Sequence, residues 1–135
     1  MRSEQYILVA LLGFIPTYGM AKTITFECQG DRLIIYKHGR PTDSKDDESR
    51  FLFYVSSNNV TMASSVTGSV DLKAEDILIL RDKISWTAKW NFPVAVEIER
   101  INRITGEFSS KIWVREKGHL TLNFIMRGRC KRSIP

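Results

Sequence analysis

The chain has 135 residues and a net charge of +5, and this length suits one domain. Its composition is 43% hydrophobic and 26% charged, with eight glycines, four prolines and two cysteines. These values exclude a disordered tail, a collagen-like repeat and a miniprotein held together by many disulfides.

The N-terminus has the three-part layout of a secretory signal peptide. Arg2 supplies a positive charge, and residues 6–15 form an uncharged apolar run. Gly19 and Ala21 then provide small side chains at the −3 and −1 positions of a cleavage site. Ten apolar residues would span about 15 Å as a helix, half of a bilayer core, which disfavours a membrane anchor. We therefore expect export followed by cleavage before residue 22.

Removal of residues 1–21 would leave a single β domain, residues 22–135, with the same net charge, in the periplasm or outside the cell. That domain keeps both cysteines, Cys28 and Cys130. In an oxidising compartment two such cysteines are expected to pair. No CxxC motif or neighbouring histidine supports a redox or nucleophilic role. The sequence thus predicts one structural disulfide.

Behind the signal segment the dominant hydrophobic period is two. Apolar and polar residues alternate along residues 66–72, 84–90 and 120–126. Strict alternation indicates strands with one buried and one solvated face. Turn residues separate the runs at 29–31, 38–41, 58–59, 81–82, 105–106 and 117–118. This spacing predicts an antiparallel β-barrel or sandwich of about eight strands.

Two stretches also fit a helix. The apolar positions of residues 91–104 match one helix face, but Val94, Val96 and Ile98 alternate as in a strand. A long hairpin through residues 105–106 accounts for both sides of the turn, so we favour a strand. Residues 74–80 leave one short helical turn open.

Three runs are apolar on both faces, at residues 33–36, 51–55 and 77–80. A simple closed barrel buries only one face of each strand. The second face must therefore meet more core, another subunit or a ligand. Small barrels can hold one ligand. A pocket for an apolar ligand would be lined in part by Phe51, Phe53, Trp86 and Trp90.

Basic residues are concentrated at the C-terminus, at Arg127, Arg129, Lys131 and Arg132. The expected disulfide would bring Arg32 close to them. A combined basic surface attracts phosphate and carboxylate groups, so it is a candidate site for anionic lipid, lipopolysaccharide or cell-wall polymer. Nucleic acid is disfavoured, because no interleaving of aromatic and basic residues marks a stacking surface.

The sequence offers little catalytic machinery. His38 and His119 each lie beside a glycine in a predicted turn, and the chain has neither a phosphate loop nor an H-E-x-x-H motif. Residues 43–48 contain four carboxylates, but Lys45 interrupts them and the glycine of an EF-hand loop is missing. We expect a solvated, mobile loop there. We therefore predict no catalytic residues, no metal and no cofactor.

Residues 98–108, IERINRITGEF, and the later Gly128-Arg129-Cys130 resemble a group of small uncharacterised exported bacterial proteins. That group has a hairpin with Asn/Asp-Arg-x-Thr-Gly and a Gly-x-Cys ending. The resemblance implies a compact β domain in the periplasm and no particular activity.

Residues 26–33, FECQGDRL, are similar to the opening of the periplasmic inhibitors of C-type lysozymes, and residues 113–118 are similar to a later stretch of that family. This resemblance implies an inhibitor of a cell-wall-degrading enzyme. The inhibitory Ser and Lys loop of the family has no match here, and a net charge of +5 would repel a basic lysozyme.

The sequence therefore predicts a non-enzymatic binding protein, with three classes of partner. A binder of anionic envelope material should show a contiguous basic face. An inhibitor or immunity protein should project a loop into the active site of an enzyme. A carrier should enclose an apolar cavity.

Overall fold

A computed structural model describes residues 22–65, 68–91 and 94–133 of the chain, and its regular structure consists of ten strands. No helix occurs among these residues. The strands are β1 (Ile24–Lys37), β2 (Arg40–Asp46), β3 (Arg50–Val55), β4 (Val60–Ser64), β5 (Gly68–Asp71), β6 (Glu75–Ile79), β7 (Lys83–Asn91), β8 (Val94–Asn102), β9 (Glu107–Glu116) and β10 (His119–Arg132).

The strands form one antiparallel sheet in the order β5-β4-β3-β1-β10-β9-β8-β7-β6. β2 lies off this path and pairs with the second half of β1. The sheet curls into a half-barrel whose concave face carries the core. The predicted all-β antiparallel class is therefore confirmed, with ten strands in place of about eight. The expected signal segment, residues 1–21, lies outside the described residues.

Two strands of 14 residues each, β1 and β10, form the spine of the sheet. The first half of β1 pairs with β3 and the second half with β2. A bulge at Asp31 separates the two halves. The turn predicted at residues 29–31 is therefore wrong, because the chain continues there as a strand. Glycine at position 128 permits the close approach of β10, since a Cβ there would collide with the Gln29 carbonyl oxygen.

The disulfide links β1 to β10 at the centre of the sheet. Cys28 and Cys130 face each other directly in the register, with their Cα atoms 4.0 Å apart, and both are buried. The bonded residues are 102 positions apart in the sequence. The predicted disulfide is confirmed, and it closes a loop that contains most of the domain.

Aromatic rings pack across the concave face. Trp86 of β7 is 1% exposed, and its ring lies edge-on to Phe53 of β3, with 4.8 Å between the ring centroids. Phe108 of β9 lies 5.7 Å from Phe53 and 5.6 Å from Phe51 by the same measure. Because β3 and β7 are not neighbours in the sheet, these contacts bridge its interior and stabilise the curl.

The face of β8 that points to the interior is not the face on which its valines lie. The strand predicted in this region is confirmed, but Val94 is 40% exposed, whereas Ala95, Glu99 and Ile101 are buried. Successive side chains of a strand point to opposite faces, so Glu97 shares the inner face with them. The carboxyl groups of Glu97 and Glu99 therefore both lie on the concave side of the sheet.

A bulge in β10 also divides a regular sequence pattern. Ile112 of β9 pairs with Phe124, while the next residue of β9 pairs with Leu122. The extra residue, Asn123, shifts the alternation by one position. Phe124 and Met126 consequently lie on the opposite face of the sheet from Leu120 and Leu122, although all four alternate along the sequence.

Two further expectations need correction. Residues 75–79 form β6 and not a helical turn, because they pair with β7 around a bulge at which Asp76 has a positive φ of 53°. Residues 43–46 belong to β2 and not to a mobile loop, since they pair with β1. They are exposed, as expected, and are held by backbone pairing together with contacts of the Arg32 guanidinium to Ser44 and Asp46.

We expect the double substitution Cys28→Ser and Cys130→Ser to lower the free energy of unfolding by about 2–5 kcal/mol, because the unfolded chain regains the freedom that the closed loop removes. Urea denaturation of the oxidised wild type and of the variant measures the difference. The reduced wild type is the control and should unfold with the variant. Equal midpoints for all three proteins would contradict the prediction.

Candidate functional site

A cavity of about 550 Å³ opens on the concave face of the half-barrel. This volume lies in the range of about 300–1,000 Å³ typical of small-molecule sites. Much of its wall is apolar, formed by Phe51, Phe53, Met62, Phe108, Ile112 and Met126. Methionine side chains adapt their shape easily, so such a wall can fit apolar bodies of different outlines.

Strand alternation brings these wall residues to one side of the sheet. β3 contributes Phe51 and Phe53, which are two positions apart and therefore point the same way. β9 contributes Phe108 and Ile112 by the same rule. β10 contributes Met126, which lies opposite Ser110 of β9 and therefore on the same face of the sheet. The cavity thus depends on the register of several strands at once.

The apolar pocket residues predicted from the sequence divide into two groups. Phe51, Phe53 and Trp90 line the cavity, and Trp90 is 39% exposed. Trp86 is fully buried and supports the wall through its contact with Phe53. The residues that β4, β8, β9 and β10 contribute to the lining were not predicted from the sequence.

Glu97 and Glu99 of β8 also line the cavity, and Glu99 is 3% exposed. The Ser110 hydroxyl donates a hydrogen bond of 2.7 Å to Oε1 of Glu99. The Oε2 atom of Glu99 has no N–H or O–H donor among the described residues. The Glu97 carboxyl comes within hydrogen-bonding reach of the Glu99 carboxyl, so a proton is needed between the two acids.

The residues that flank these acids carry no charge. Across the sheet, Glu99 lies between Trp86 of β7 and Ser110 of β9, and Glu97 lies between Ala88 and Ile112. The Trp86 Nε1 atom is itself buried, with no acceptor among the described residues. The pair of acids therefore meets apolar or neutral side chains on both neighbouring strands.

Burial, the largest cause, and the adjacent Glu97 carboxyl together raise the pKa of Glu99 to about 9, against the opposing effect of the Ser110 hydrogen bond. At neutral pH Glu99 is consequently protonated. A protonated carboxyl can donate a hydrogen bond, while its loss of the proton would leave a buried charge. Perturbed carboxyls of this kind in a cleft are typical of functional sites.

Two more charged side chains, Glu48 and Arg50, complete the lining of the cavity. Among the described lining residues, three carboxyl groups therefore accompany one guanidinium. This balance contrasts with the net charge of +5 of the whole chain. Acidic side chains therefore outnumber basic ones in the lining of this cavity, although the whole chain is basic.

The predicted anion-binding residues lie on and beside the spine of the sheet. Arg127 of β10 faces Arg32 of β1 directly, so the register brings together the two regions that the disulfide was expected to join. Along β10, exposed residues alternate with the buried Gly128 and Cys130. The exposed basic residues of this strand are Arg127, Arg129, Lys131 and Arg132.

Two of these basic side chains have acidic partners. Arg32 forms an ion pair of 3.1 Å with Asp46 of β2. Lys131 lies 3.7 Å from the carboxylate of Glu27 on β1. Both pairs are solvent-exposed, so each contributes only about 0–1 kcal/mol and leaves the cations accessible.

A groove of about 810 Å³ adjoins the disulfide on this side of the molecule. Its polar and charged lining includes three cations and one acidic residue among the described side chains. These are Arg50, Arg129, Lys131 and Glu27. Leu52 and Ala63 are among its apolar residues.

Residues 98–108 and 128–130, which resemble the small exported bacterial proteins, hold one end of the sheet together. The Asn102 side-chain Oδ1 accepts hydrogen bonds from the backbone N–H groups of Ile104 and Thr105, at 2.9 and 3.0 Å. The carbonyl oxygen of Gly106 accepts a bond of 2.7 Å from the N–H of Cys130. These contacts tie the turn between β8 and β9 to the disulfide strand.

Comparisons of the chain with protein-family models, with curated proteins and with solved structures give no match. In the described part of the chain, no helix is long and apolar enough to cross a membrane. Over the same residues, no three acidic, histidine or cysteine side chains form a group that could hold a metal ion.

The raised pKa of Glu99 predicts a stability that falls as pH rises. Between about pH 4.5 and 9 the folded protein keeps a proton that the unfolded chain has lost. The free energy of unfolding should therefore decrease by up to about 1.4 kcal/mol per pH unit from this group. Glu99→Gln removes the effect, so its stability relative to the wild type should increase from pH 5 to pH 8.

Urea midpoints at several pH values measure this difference. Glu116→Gln is the matched control, because Glu116 is exposed at the end of β9. Its curve should follow that of the wild type. A Glu99→Gln curve parallel to the other two would show that Glu99 does not keep its proton.

Proposed function

We propose that this protein is an exported binding protein that carries a small, largely apolar ligand in the cavity of its half-barrel. The observation that supports the proposal is the cavity of about 550 Å³ with an aromatic and methionine wall. Burial of apolar surface stabilises a complex by roughly 25 cal/mol per Å², so such a wall favours an apolar ligand body. The cavity is also open to solvent through the incomplete closure of the sheet.

Binding is proposed in preference to catalysis. The buried polar side chains of the cavity, Ser110 and Glu99, are bonded to each other and are each 3% exposed. An inhibitor role is less well supported, because it requires a projecting loop. The turns at residues 38–39 and 117–118, which join consecutive strands, contain only two residues each.

Binding of a neutral fluorescent probe, N-phenyl-1-naphthylamine, tests the proposal. The wild type should bind the probe saturably at one site. Met62→Trp adds bulk to the cavity wall and should weaken binding by at least about tenfold, or about 1.4 kcal/mol. Leu120→Trp makes a similar change outside the cavity, at a residue that is 47% exposed, and should leave binding unchanged.

Thermal unfolding of each variant shows whether it is folded. Met126→Phe provides a second wall variant if Met62→Trp does not fold, because Met126 lines the same cavity from β10. Absence of saturable binding by the wild type would contradict the proposal. Equal binding by folded wall variants and the outer-face control would place the probe elsewhere.

The basic face of β10 supports a second candidate function, binding of anionic envelope lipid or polymer. The supporting observation is that Arg127 and Arg32 lie opposite each other, with Arg129 and Lys131 following along the exposed face. A surface of this kind attracts phosphate and carboxylate groups over several ångströms. Such binding needs no cavity, so the two functions can be tested separately.

Retention on anionic and neutral lipid vesicles tests the second candidate. Replacement of Arg127, Arg129, Lys131 and Arg132 by Ser should abolish retention on anionic vesicles. Exposed charges are screened within about 8 Å at physiological ionic strength, so wild-type retention should fall as salt rises.

The matched control replaces four exposed basic residues elsewhere, Arg81, Lys83, Arg115 and Lys117, by Ser. It removes the same charge and should keep most of the binding. Equal retention of the two variants, or retention indifferent to salt, would remove the β10 face as a specific anion site.

A further inference from the structure

The acid pair in the cavity has hydrogen-bonding capacity that the described protein does not satisfy. Glu99 is 3% exposed and receives one donor, the Ser110 hydroxyl, while its Oε2 atom receives none from the described residues. Glu97 reaches the same cavity. A wholly apolar ligand would offer these carboxyl groups no further donor, so the buried Oε2 atom of Glu99 would depend on the proton shared with Glu97.

The charges around the cavity favour a cation over an anion. Its charged lining residues in the described chain are Glu48, Arg50, Glu97 and Glu99. The side chains that face the acid pair from β7 and β9 are uncharged, as described above. A ligand carboxylate or phosphate would approach two acids with no basic residue opposite them on either neighbouring strand, whereas a ligand ammonium would supply further donors.

The walls of the cavity favour an organic cation in particular. Phe51, Phe53, Phe108 and Trp90 all line it. The faces of aromatic rings are electronegative and attract ammonium groups, and this attraction increases when water is excluded. The same rings provide apolar surface for the rest of the molecule. Acidic and aromatic side chains together therefore match a ligand with one charged end and one apolar body.

We propose that the ligand of this cavity is an amphipathic organic amine, whose ammonium group binds between the carboxyl groups of Glu97 and Glu99 and whose apolar body packs against the phenylalanines. This inference rests on the proposed function of the cavity as a ligand site. The ammonium N–H groups donate hydrogen bonds to the two carboxylates. The proton that the acids hold in the free protein is released to solvent when the amine binds.

Proton release makes the affinity depend on pH with a defined sign. The pKa of Glu99 is raised to about 9 by burial and by Glu97, so the free site is protonated at neutral pH. A simple alkylamine stays charged up to a pKa of about 10.4, the value for lysine. Affinity should therefore rise with pH between pH 6 and 8, by up to about tenfold per unit.

Calorimetric titration with three probes of one apolar body tests the inference. The probes are 4-phenylbutylamine, 4-phenylbutan-1-ol and 4-phenylbutyrate. At pH 8 the amine should bind at least about tenfold more tightly than the alcohol, and the carboxylate should bind most weakly. Titration of the amine at pH 7 in buffers of different ionisation enthalpy should show release of about one proton.

The double variant Glu97→Gln and Glu99→Gln should lose the preference for the amine and its dependence on pH, while it keeps the affinity for the alcohol. Retained alcohol binding also shows that the variant is folded. Glu97→Gln alone is the second variant, because Glu97 is only half-buried and tolerates change more readily. Replacement of the exposed Glu107 and Glu116 by Gln is the control and should change nothing.

The outcomes separate this inference from the proposed function. An amine that binds no more tightly than the alcohol, or whose affinity does not change with pH, overturns the amine assignment and leaves the apolar cavity as a binding site. Amine preference that survives in the folded double variant also overturns it. Failure of all three probes and of the fluorescent probe overturns both proposals.

Discussion

The pairing of β1 with β10, locked by the bond between Cys28 and Cys130, is the constraint on which the rest of the sheet depends. From this spine β3, β4 and β5 extend to one side, and β9, β8, β7 and β6 extend to the other. In the part of the chain that the structure describes, the two halves meet again through side chains, where Trp86 packs against Phe53. Because the spine joins the two ends of the domain, its formation costs a long loop closure, and the disulfide removes part of that cost from the unfolded chain.

The half-barrel form explains why a cavity exists. A closed small barrel fills its interior with side chains from every strand. Here the edge strands β5 and β6 are not paired to each other, and the curl depends on aromatic contacts near one part of the concave face. Those contacts fill part of the interior, and the remainder stays open beside Met62 and Met126.

The acid pair in this cavity opposes the stability of the fold. A buried carboxyl without a basic partner must keep its proton or carry an unfavourable charge, and the raised pKa of Glu99 reflects this cost. Buried polar groups that destabilise a fold are expected at sites that bind a ligand. The acidic cavity and the basic face of β10 thus form two chemically distinct surfaces on one small domain.

Much of the fold was predictable from the sequence, because period-two alternation and turn residues are local signals. They identified the inward face of β7, where Ile84 and Trp86 are buried, and the two cysteines, together with an N-terminus that predicts export, indicated the disulfide. The acid site was not predictable in this way. Its one sequence signal is that the two glutamates share a strand face with Ala95 and Ile101, whereas the alternating valines favoured the other face. Which face is buried, and where bulges shift the alternation, depends on pairing between strands that are distant in the sequence, so only the tertiary structure decided it.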